Sequence, residues 1–327
     1  MKQKKKIIKV KKSSYLFTII ILVLATIGLQ AQTYNKPGNT SVSFLKMSPT
    51  PRGEAMGSAI IGIVDDASAV FSNPAGLMNI SNMDIQFGRT SLPADIALNY
   101  SSIAKRFGSH HVFALSVLGL RTDEMKVRTP LQPEGTGQTF HSGQYAFGLT
   151  YARNYTDKFK VGFTGRILDL NIVSGMYKQT SWSADIGLQY HSALPGILEG
   201  TIIAVAIRNF GPQITYAKEG YGLPLNYVIG AAKPIEGIFF ENDKMHLAAN
   251  WNKALDEKEK AQVGMEYIFD DLLEFRCGYK FASGQQGFST GMGVRQEVMQ
   301  RELVFRYAYS PFGVIGNIHR FSIGVNL

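Results

Sequence analysis

From Met83 to Leu327, large apolar side chains alternate with small or polar ones. In the run from Trp182 to Tyr190, for example, Trp, Ala, Ile, Leu and Tyr alternate with Ser, Asp, Gly and Gln. A period of two places every second side chain on the same face of a β-strand. We therefore predict an all-β chain with about fourteen strands, which begin near Met83, Ile96, Val112, Gln144, Lys160, Tyr177, Thr201, Asn226, Lys244, Ala261, Leu272, Ser289, Glu302 and Arg320.

The polar face of these strands favours a membrane barrel. It is rich in Gly, Ala and Ser and carries charges of both signs, such as Arg166, Asp185 and Glu266. A solvent-exposed sheet usually carries Lys, Glu and Thr instead, and the strand lengths are close to the roughly 9–11 residues that cross a bilayer. We expect a 14-stranded antiparallel transmembrane β-barrel over residues 83–327, with a periplasmic or surface β-sandwich as the alternative.

Residues 1–31 have the pattern of a secretory signal peptide. They contain seven lysines and no acidic residue, followed by an apolar run from Leu16 to Leu29 that is shorter than the roughly 20 residues of a transmembrane helix. The lysines also explain most of the formal net charge of +9, since 9 − 7 leaves +2 for the rest. We therefore expect export to the outer membrane and no nucleic-acid partner. An uncleaved N-terminal anchor helix is the alternative.

No residue pattern indicates catalysis or metal binding. The chain has one cysteine, Cys277, and its six histidines lack metal-ligand spacing. The glycines of Gly162–Gly165 and Gly291–Gly293 lie on predicted strands rather than before a helix, so close packing inside the barrel explains them better than phosphate binding. We expect no metal, no cofactor and no enzymatic activity.

Residues 32–82 differ from the strands and are predicted to form a hatch segment. The run Asp65–Ala69, with Asp65 and Asp66 at its beginning, looks like a helix start because acidic residues favour the first turn, and Asn73 before Pro74 suits an N-cap followed by proline at the first helical position. We expect mainly structural roles, as turn caps and partners of lumen charges, for the hatch motif, which comprises Arg52, Met56, Gly57, Asp65, Asp66, Asn73, Pro74, Ala75 and Gly76.

Two long connections, Arg121–Ser142 and Asn209–Leu225, follow odd-numbered strands, where outer loops of a barrel are expected. Both contain proline, glycine and apolar residues. Loops on a rigid scaffold often carry recognition, and exposed aromatic residues often anchor interfaces. We predict exposed partner-binding residues at Pro130, Pro133, Phe140, Ile214, Tyr216 and Tyr221.

Several motifs resemble the PorV/PorQ family, which looks related to FadL-type fatty-acid channels through an Asn-Pro-Ala element in the hatch. They are Phe44–Lys46, Arg52, Ala55–Gly57, Asp65–Ala69, Asn73–Leu77, Tyr309–Gly313 and His319–Ser322. The resemblance implies an outer-membrane barrel, in contact with outer-membrane lipid, that serves the type IX secretion system. Its partners would be the secretion translocon and the C-terminal signal domains of cargo proteins. The alternative is a FadL-like channel for hydrophobic small molecules, which needs an apolar pocket inside the barrel.

Overall fold

The computed structural model describes residues 40–172, 177–196, 198–216, 218–240, 242–282 and 287–327. The predicted signal peptide, residues 1–31, and the first part of the predicted hatch segment, residues 32–39, lie outside these ranges. Within the described ranges, no helix has both the length and the apolar character needed to cross a membrane.

Fourteen antiparallel strands close into a barrel in which each strand pairs with its neighbours along the chain, and the last pairs with the first. The barrel strands are β1 (Met83–Leu92), β2 (Ile96–Phe107), β3 (His111–Thr122), β6 (Gly143–Asn154), β7 (Phe159–Ile172), β8 (Tyr177–His191), β9 (Ile202–Phe210), β12 (Asn226–Glu236), β13 (Lys244–Ala254), β14 (Lys260–Phe269), β15 (Leu273–Lys280), β16 (Phe288–Val298), β17 (Arg301–Pro311) and β18 (Asn317–Asn326). Two short hairpins lie in loops: β4 (Met125–Lys126) with β5 (Thr139–Phe140), and β10 (Ile214–Tyr216) with β11 (Glu219–Tyr221). The prediction of an all-β barrel of about fourteen strands is confirmed, and each strand starts within three residues of its predicted position.

The period of two in the sequence corresponds to the two faces of the wall. On β15, Phe275 and Tyr279 are exposed on the outside of the barrel, whereas Glu274 and Arg276 are buried inside it. Successive side chains of a strand point to opposite faces, so one residue of slip would exchange the two sets. The exposed apolar face is the one that suits lipid.

The two ends of the barrel differ in their connections. Met83 exchanges backbone hydrogen bonds with Leu327 at one end, where tight left-handed turns such as Asp270–Asp271 join strands. The long connections 123–142 and 211–225 lie at the opposite end. Because outer-membrane barrels have short periplasmic turns and longer external loops, we call these the periplasmic end and the outer end.

Residues 40–82 form the hatch, which runs through the lumen from the outer end to the periplasmic end. Its elements are the 3₁₀ helices η1 (Ser43–Lys46), η2 (Ala67–Phe71) and η3 (Pro74–Asn79) and the helix α1 (Pro51–Ala55); a fourth 3₁₀ helix, η4 (Gly313–Ile315), lies in the last outer loop. Thr40 donates a hydrogen bond to Asp256 in an outer loop, and Arg106 binds the Ile80 carbonyl at the periplasmic end. The hydrophobic core therefore lies inside the barrel, between the hatch and the wall.

Glycines in the wall form seats for the hatch backbone. A Cβ added at Gly278 would lie 2.1 Å from the Gly57 nitrogen, and one at Gly264 would lie 2.4 Å from the Met56 oxygen. On the other side of the lumen, a Cβ at Gly162 would lie 2.3 Å from the Pro74 carbonyl carbon. Side chains do not tolerate such distances, so the hatch packs directly on strand backbone at these positions.

Candidate functional site

A cavity of about 870 Å³ lies at the outer end, between the hatch and the wall. One side of it is apolar and is formed around the short β1–β2 connection, with Leu92 and Ile96 next to Leu120 of β3. The hatch adds Phe44 and Met47. This side can hold an apolar group by excluding water.

The opposite side of this outer cavity is polar. It is lined by amides and cations that point inward from β12 to β15, namely Asn226, Asn252, Lys260, Gln262 and Lys280. Arg320 of β18 also lines the cavity, next to the apolar side, since it pairs with Thr90 of β1. The pairing register sets Lys280 opposite Gln262, and Asn252 opposite Lys260. The cavity is thus amphipathic, with a polar arc facing an apolar one.

Helix α1 lies below the cavity. Thr50 caps it by accepting a hydrogen bond from the Gly53 N–H at 3.1 Å, and Pro51 occupies the first helical position. Glu54 reaches the cavity, where its carboxylate lies 2.7 Å from the Lys280 ammonium and 3.6 Å from the Arg320 guanidinium. Burial alone would raise the pKa of Glu54, but Arg320 and Lys280 lower that pKa to about 2. Glu54 is therefore ionised at neutral pH.

Arg52, on the same helix, turns away from the cavity into a buried ion network. Its guanidinium lies 2.7 Å from Glu266 of β14 and also pairs with Asp65 of the hatch. Glu266 is shared with Arg276 at 2.6 Å and with His246 Nδ1 at 2.7 Å. The charges alternate in sign, and each is compensated by close partners.

The network continues towards η2. Arg306 lies 3.0 Å from both Glu274 and Asp66, and Asp66 caps η2 by accepting a hydrogen bond from the Ser68 N–H at 3.0 Å. Glu274 also pairs with Arg295 at 2.7 Å and with Arg276, so three cations surround it. Helix α1 is thus fixed by Glu54 on its outer side and by the Arg52 network on its inner side.

The rest of the hatch motif forms the second contact with the wall. The Asn73 side chain donates to the carbonyl oxygens of Ile61 and Leu188 at 2.9 and 3.1 Å, and accepts from the Ala75 N–H. Pro74 and Ala75 rest on Gly162, whereas Gly76 packs against Val64. All nine residues of the hatch motif lie at contacts within the hatch or with the wall, and none lines the outer cavity.

The loop 211–225 does not extend outward as expected. Ile214, predicted to be exposed, is only 3% exposed and belongs to the same core cluster as Phe44. Tyr216 and Tyr221 are half-buried, with ring centroids 6.1 Å apart. The predicted exposure of Ile214 is wrong because this loop folds over the lumen, where the hatch supplies it with apolar partners. Its role in partner binding stays a prediction.

The loop 123–142 does project from the barrel. Pro130 and Pro133 are exposed, Leu131 is 94% exposed, and a two-residue ladder, with Met125 opposite Phe140, lies at the base of the loop. Phe140 is half-buried. We call this segment the outer arm. The predicted partner-binding residues are therefore divided between a cover over the lumen and the outer arm.

Among the described residues, no three His, Cys, Asp or Glu side chains are grouped as metal ligands. The cavity-lining residues Gln262, Lys280 and Arg320 were not identified from the sequence. They lie on three separate strands, so only the register of the closed barrel brings them together.

Neither the known protein-family models nor the curated protein sequences include a match to this chain. Solved structures do match. The Ralstonia pickettii toluene transporter TbuX has a TM-score of 0.57 at 13% identity, over 84% of this chain and 96% of that chain. The Pseudomonas putida toluene transporter TodX has a TM-score of 0.55 at 11% identity, over 84% and 95%. A Pseudomonas aeruginosa FadL homologue has a TM-score of 0.53 at 10% identity, over 85% and 98%.

At this level of identity the likeness establishes the fold, which is that of FadL-type outer-membrane barrels. It agrees with the FadL-like part of the resemblance found in the sequence. The finer assignment to the PorV/PorQ family stays a prediction, since a shared barrel does not distinguish a channel from a secretion component.

Proposed function

We propose that this protein is an outer-membrane channel that admits a hydrophobic or amphiphilic small molecule through the outer cavity. The cavity carries the proposal: it has about 870 Å³, one apolar side, one polar side and a hatch helix at its base. The toluene transporters named above support it, because they share the barrel fold. This is the alternative that the sequence analysis left open.

The charged network below α1 determines how such a channel works. An apolar ligand has no continuous apolar path past Arg52, Glu266 and Arg276, which are buried and paired. Passage therefore requires α1 to move, which breaks the ion pairs on one of its faces. In this proposal the cavity captures the ligand and the hatch is the gate.

The test is binding of a fluorescent hydrophobic probe to the purified barrel. Leu120→Asp places a charge in the apolar side of the cavity and should weaken binding at least about tenfold, since an unpaired buried charge costs well over 1.4 kcal/mol. Leu131→Asp makes the same change on the exposed outer arm and should leave binding unchanged. Equal binding by both variants would rule out the cavity as the site.

A secretion-partner barrel is the second candidate, and the outer arm favours it. Leu131 presents a large apolar side chain to solvent, beside the exposed prolines Pro130 and Pro133. In that function the arm would bind the type IX translocon or the C-terminal signal domain of cargo. Replacing residues 124–141 with a short turn should abolish co-purification of these partners while probe binding persists. Unchanged co-purification would remove this candidate.

A further inference from the structure

A second, smaller cavity of about 60 Å³ lies deeper in the lumen, between the hatch and the wall at β9 and β12–β14. We call it the inner chamber. It shares five lining residues with the outer cavity, so the two adjoin: Lys46, Ser48, Ser58, Asn252 and Gln262. Hydroxyl groups are frequent in its lining and include those of Thr50 and Ser72. Its size excludes an alkyl chain but allows several waters or a small ion.

Arg208 brings a positive charge to this chamber. It points inward from β9, and its Nη2 donates to the Leu45 carbonyl oxygen at 3.2 Å. Its Nε is buried without a hydrogen-bond partner. Among the residues that the structure describes, no carboxylate forms an ion pair with Arg208.

The acid beside Arg208 is already engaged. Asp185 pairs with Arg166 at 2.6 Å and accepts a hydrogen bond from the Asn209 N–H at 2.7 Å. Asp185 is thus committed to Arg166, and the positive charge of Arg208 is left uncompensated. The other cation of the chamber, Lys46, is neutralised by Asp256. Holding an unpaired charge partly out of water is costly, and an anion would compensate it.

Other polar atoms in the chamber also lack partners. Gln262 is only 5% exposed and its Oε1 has no hydrogen-bond partner, and neither does the Ser72 hydroxyl. The amide of Gln262 can be turned to present its NH₂ group, which has two donors. A guanidinium with hydroxyl and amide donors around it matches the acceptor oxygens of an oxyanion.

We propose that the inner chamber binds an oxyanion, with the Arg208 guanidinium as its anchor and the Ser72 and Gln262 side chains as further donors. The anion is either a free ion such as phosphate or the phosphate-like head of an amphiphile whose chain lies in the outer cavity. A free oxyanion would bind whether or not the protein transports a hydrophobic molecule, so the site is separate from the proposed uptake.

The test uses the full chain in neutral detergent micelles. Phosphate is titrated against chloride at constant ionic strength, and both calorimetric binding and the unfolding temperature are measured. We expect saturable binding and a rise in the unfolding temperature. Arg208→Met should weaken binding at least about tenfold, because it removes the positive charge and the N–H donors that hold the anion, and Arg208→Lys should retain part of the binding.

Arg128→Met is the matched control, since it removes an exposed arginine of the outer arm and should change nothing. In chloride alone, Arg208→Met should unfold at the same or a higher temperature than the unchanged protein, because it removes an uncompensated charge. A marked loss of stability there would show that a carboxylate of the protein already compensates Arg208, and would overturn the proposal.

A comparison of decyl phosphate with inorganic phosphate separates the two sources of the anion. Decanol, which lacks the phosphate group, is the control. If decyl phosphate binds in an Arg208-dependent way and inorganic phosphate does not, the chamber holds a head group. If both phosphates depend on Arg208, it holds the free ion as well. If neither depends on Arg208, the chamber holds water only and the proposal fails, whereas probe binding to the outer cavity is unaffected by that result.

Discussion

The seating of the hatch on strand glycines can be tested with two substitutions on β7. A Cβ at Gly162 would lie 2.3 Å from the Pro74 carbonyl carbon and 2.5 Å from the Ala75 nitrogen. A Cβ at Gly165, three residues along the same strand, meets nothing within 4 Å because it faces outward. Gly162→Ala and Gly165→Ala are therefore chemically identical changes on opposite faces of one strand.

The expected changes in the free energy of unfolding differ in sign between the two variants. Replacing glycine by alanine within a strand stabilises by about 0.5–1 kcal/mol when nothing opposes it, and this is the whole effect expected at Gly165. At Gly162 the added methyl group meets hatch backbone, which cannot rotate away. Overpacking of this kind costs about 1–3 kcal/mol. The net expectation for Gly162→Ala is a loss of stability or a displaced hatch, with a difference between the two variants of about 1–3 kcal/mol.

Two measurements check this. Urea unfolding of the barrel in lipid vesicles gives the free-energy difference between the variants, and limited proteolysis reports whether the hatch is released in Gly162→Ala. Cleavage within the hatch, together with a barrel that remains folded, would show that the seat has been lost. Equal stability and equal protease resistance of both variants would refute the idea that Gly162 is a seat.

Three further predictions concern charge and register. Glu54→Gln should destabilise the protein by up to about 3 kcal/mol at neutral pH. Because the folded pKa of Glu54, about 2, is below the ordinary 4.5, the stabilisation by the carboxylate is present above pH 4.5 and is lost as the pH falls towards 2. The thermal midpoints of the two proteins should therefore converge in acid. Arg52→Met removes the partner of Asp65 and one of the cations that compensate the buried Glu266, and should cost up to about 3–5 kcal/mol and raise conductance in planar bilayers, whereas Lys244→Met, which breaks an exposed pair, should do neither. Ile323→Lys, in the exposed apolar middle of β18, should cost roughly 2–4 kcal/mol in unfolding from lipid, and His319→Lys, near the outer end, roughly 0–1 kcal/mol; equal costs would mean that β18 is placed at the wrong depth.

The barrel could be predicted from the sequence because its signal is local and repeated. Each strand carries the alternation within itself, and the even number of strands and the mixed polarity of the inner face favour a closed barrel. The sequence also placed Asp66 and Asn73 at helix starts, since capping depends on a few adjacent residues. These features need no knowledge of distant contacts.

The outer cavity could not be predicted, because it depends on register. Gln262 and Lys280 are neighbours only because β14 and β15 pair with that offset, and nothing in either strand alone fixes it. The error at Ile214 has a related cause. An apolar residue in a loop is exposed or buried according to what the loop covers, and here it covers the hatch.

The path of the hatch also has a kinetic consequence. The barrel closes where β1 meets β18, with Asp84 opposite Asn326, so its last seam joins the two ends of the strand sequence. Only Ile80, Ser81 and Asn82 connect η3 to β1. A hatch that touches the wall on opposite sides cannot be threaded into a finished cylinder, so we expect it to dock on the open sheet before the seam forms. Substitutions at the glycine seats should then slow insertion into the membrane, which the pairing of strands distant in sequence already makes slow. More protein should therefore accumulate in the periplasm as an unclosed sheet.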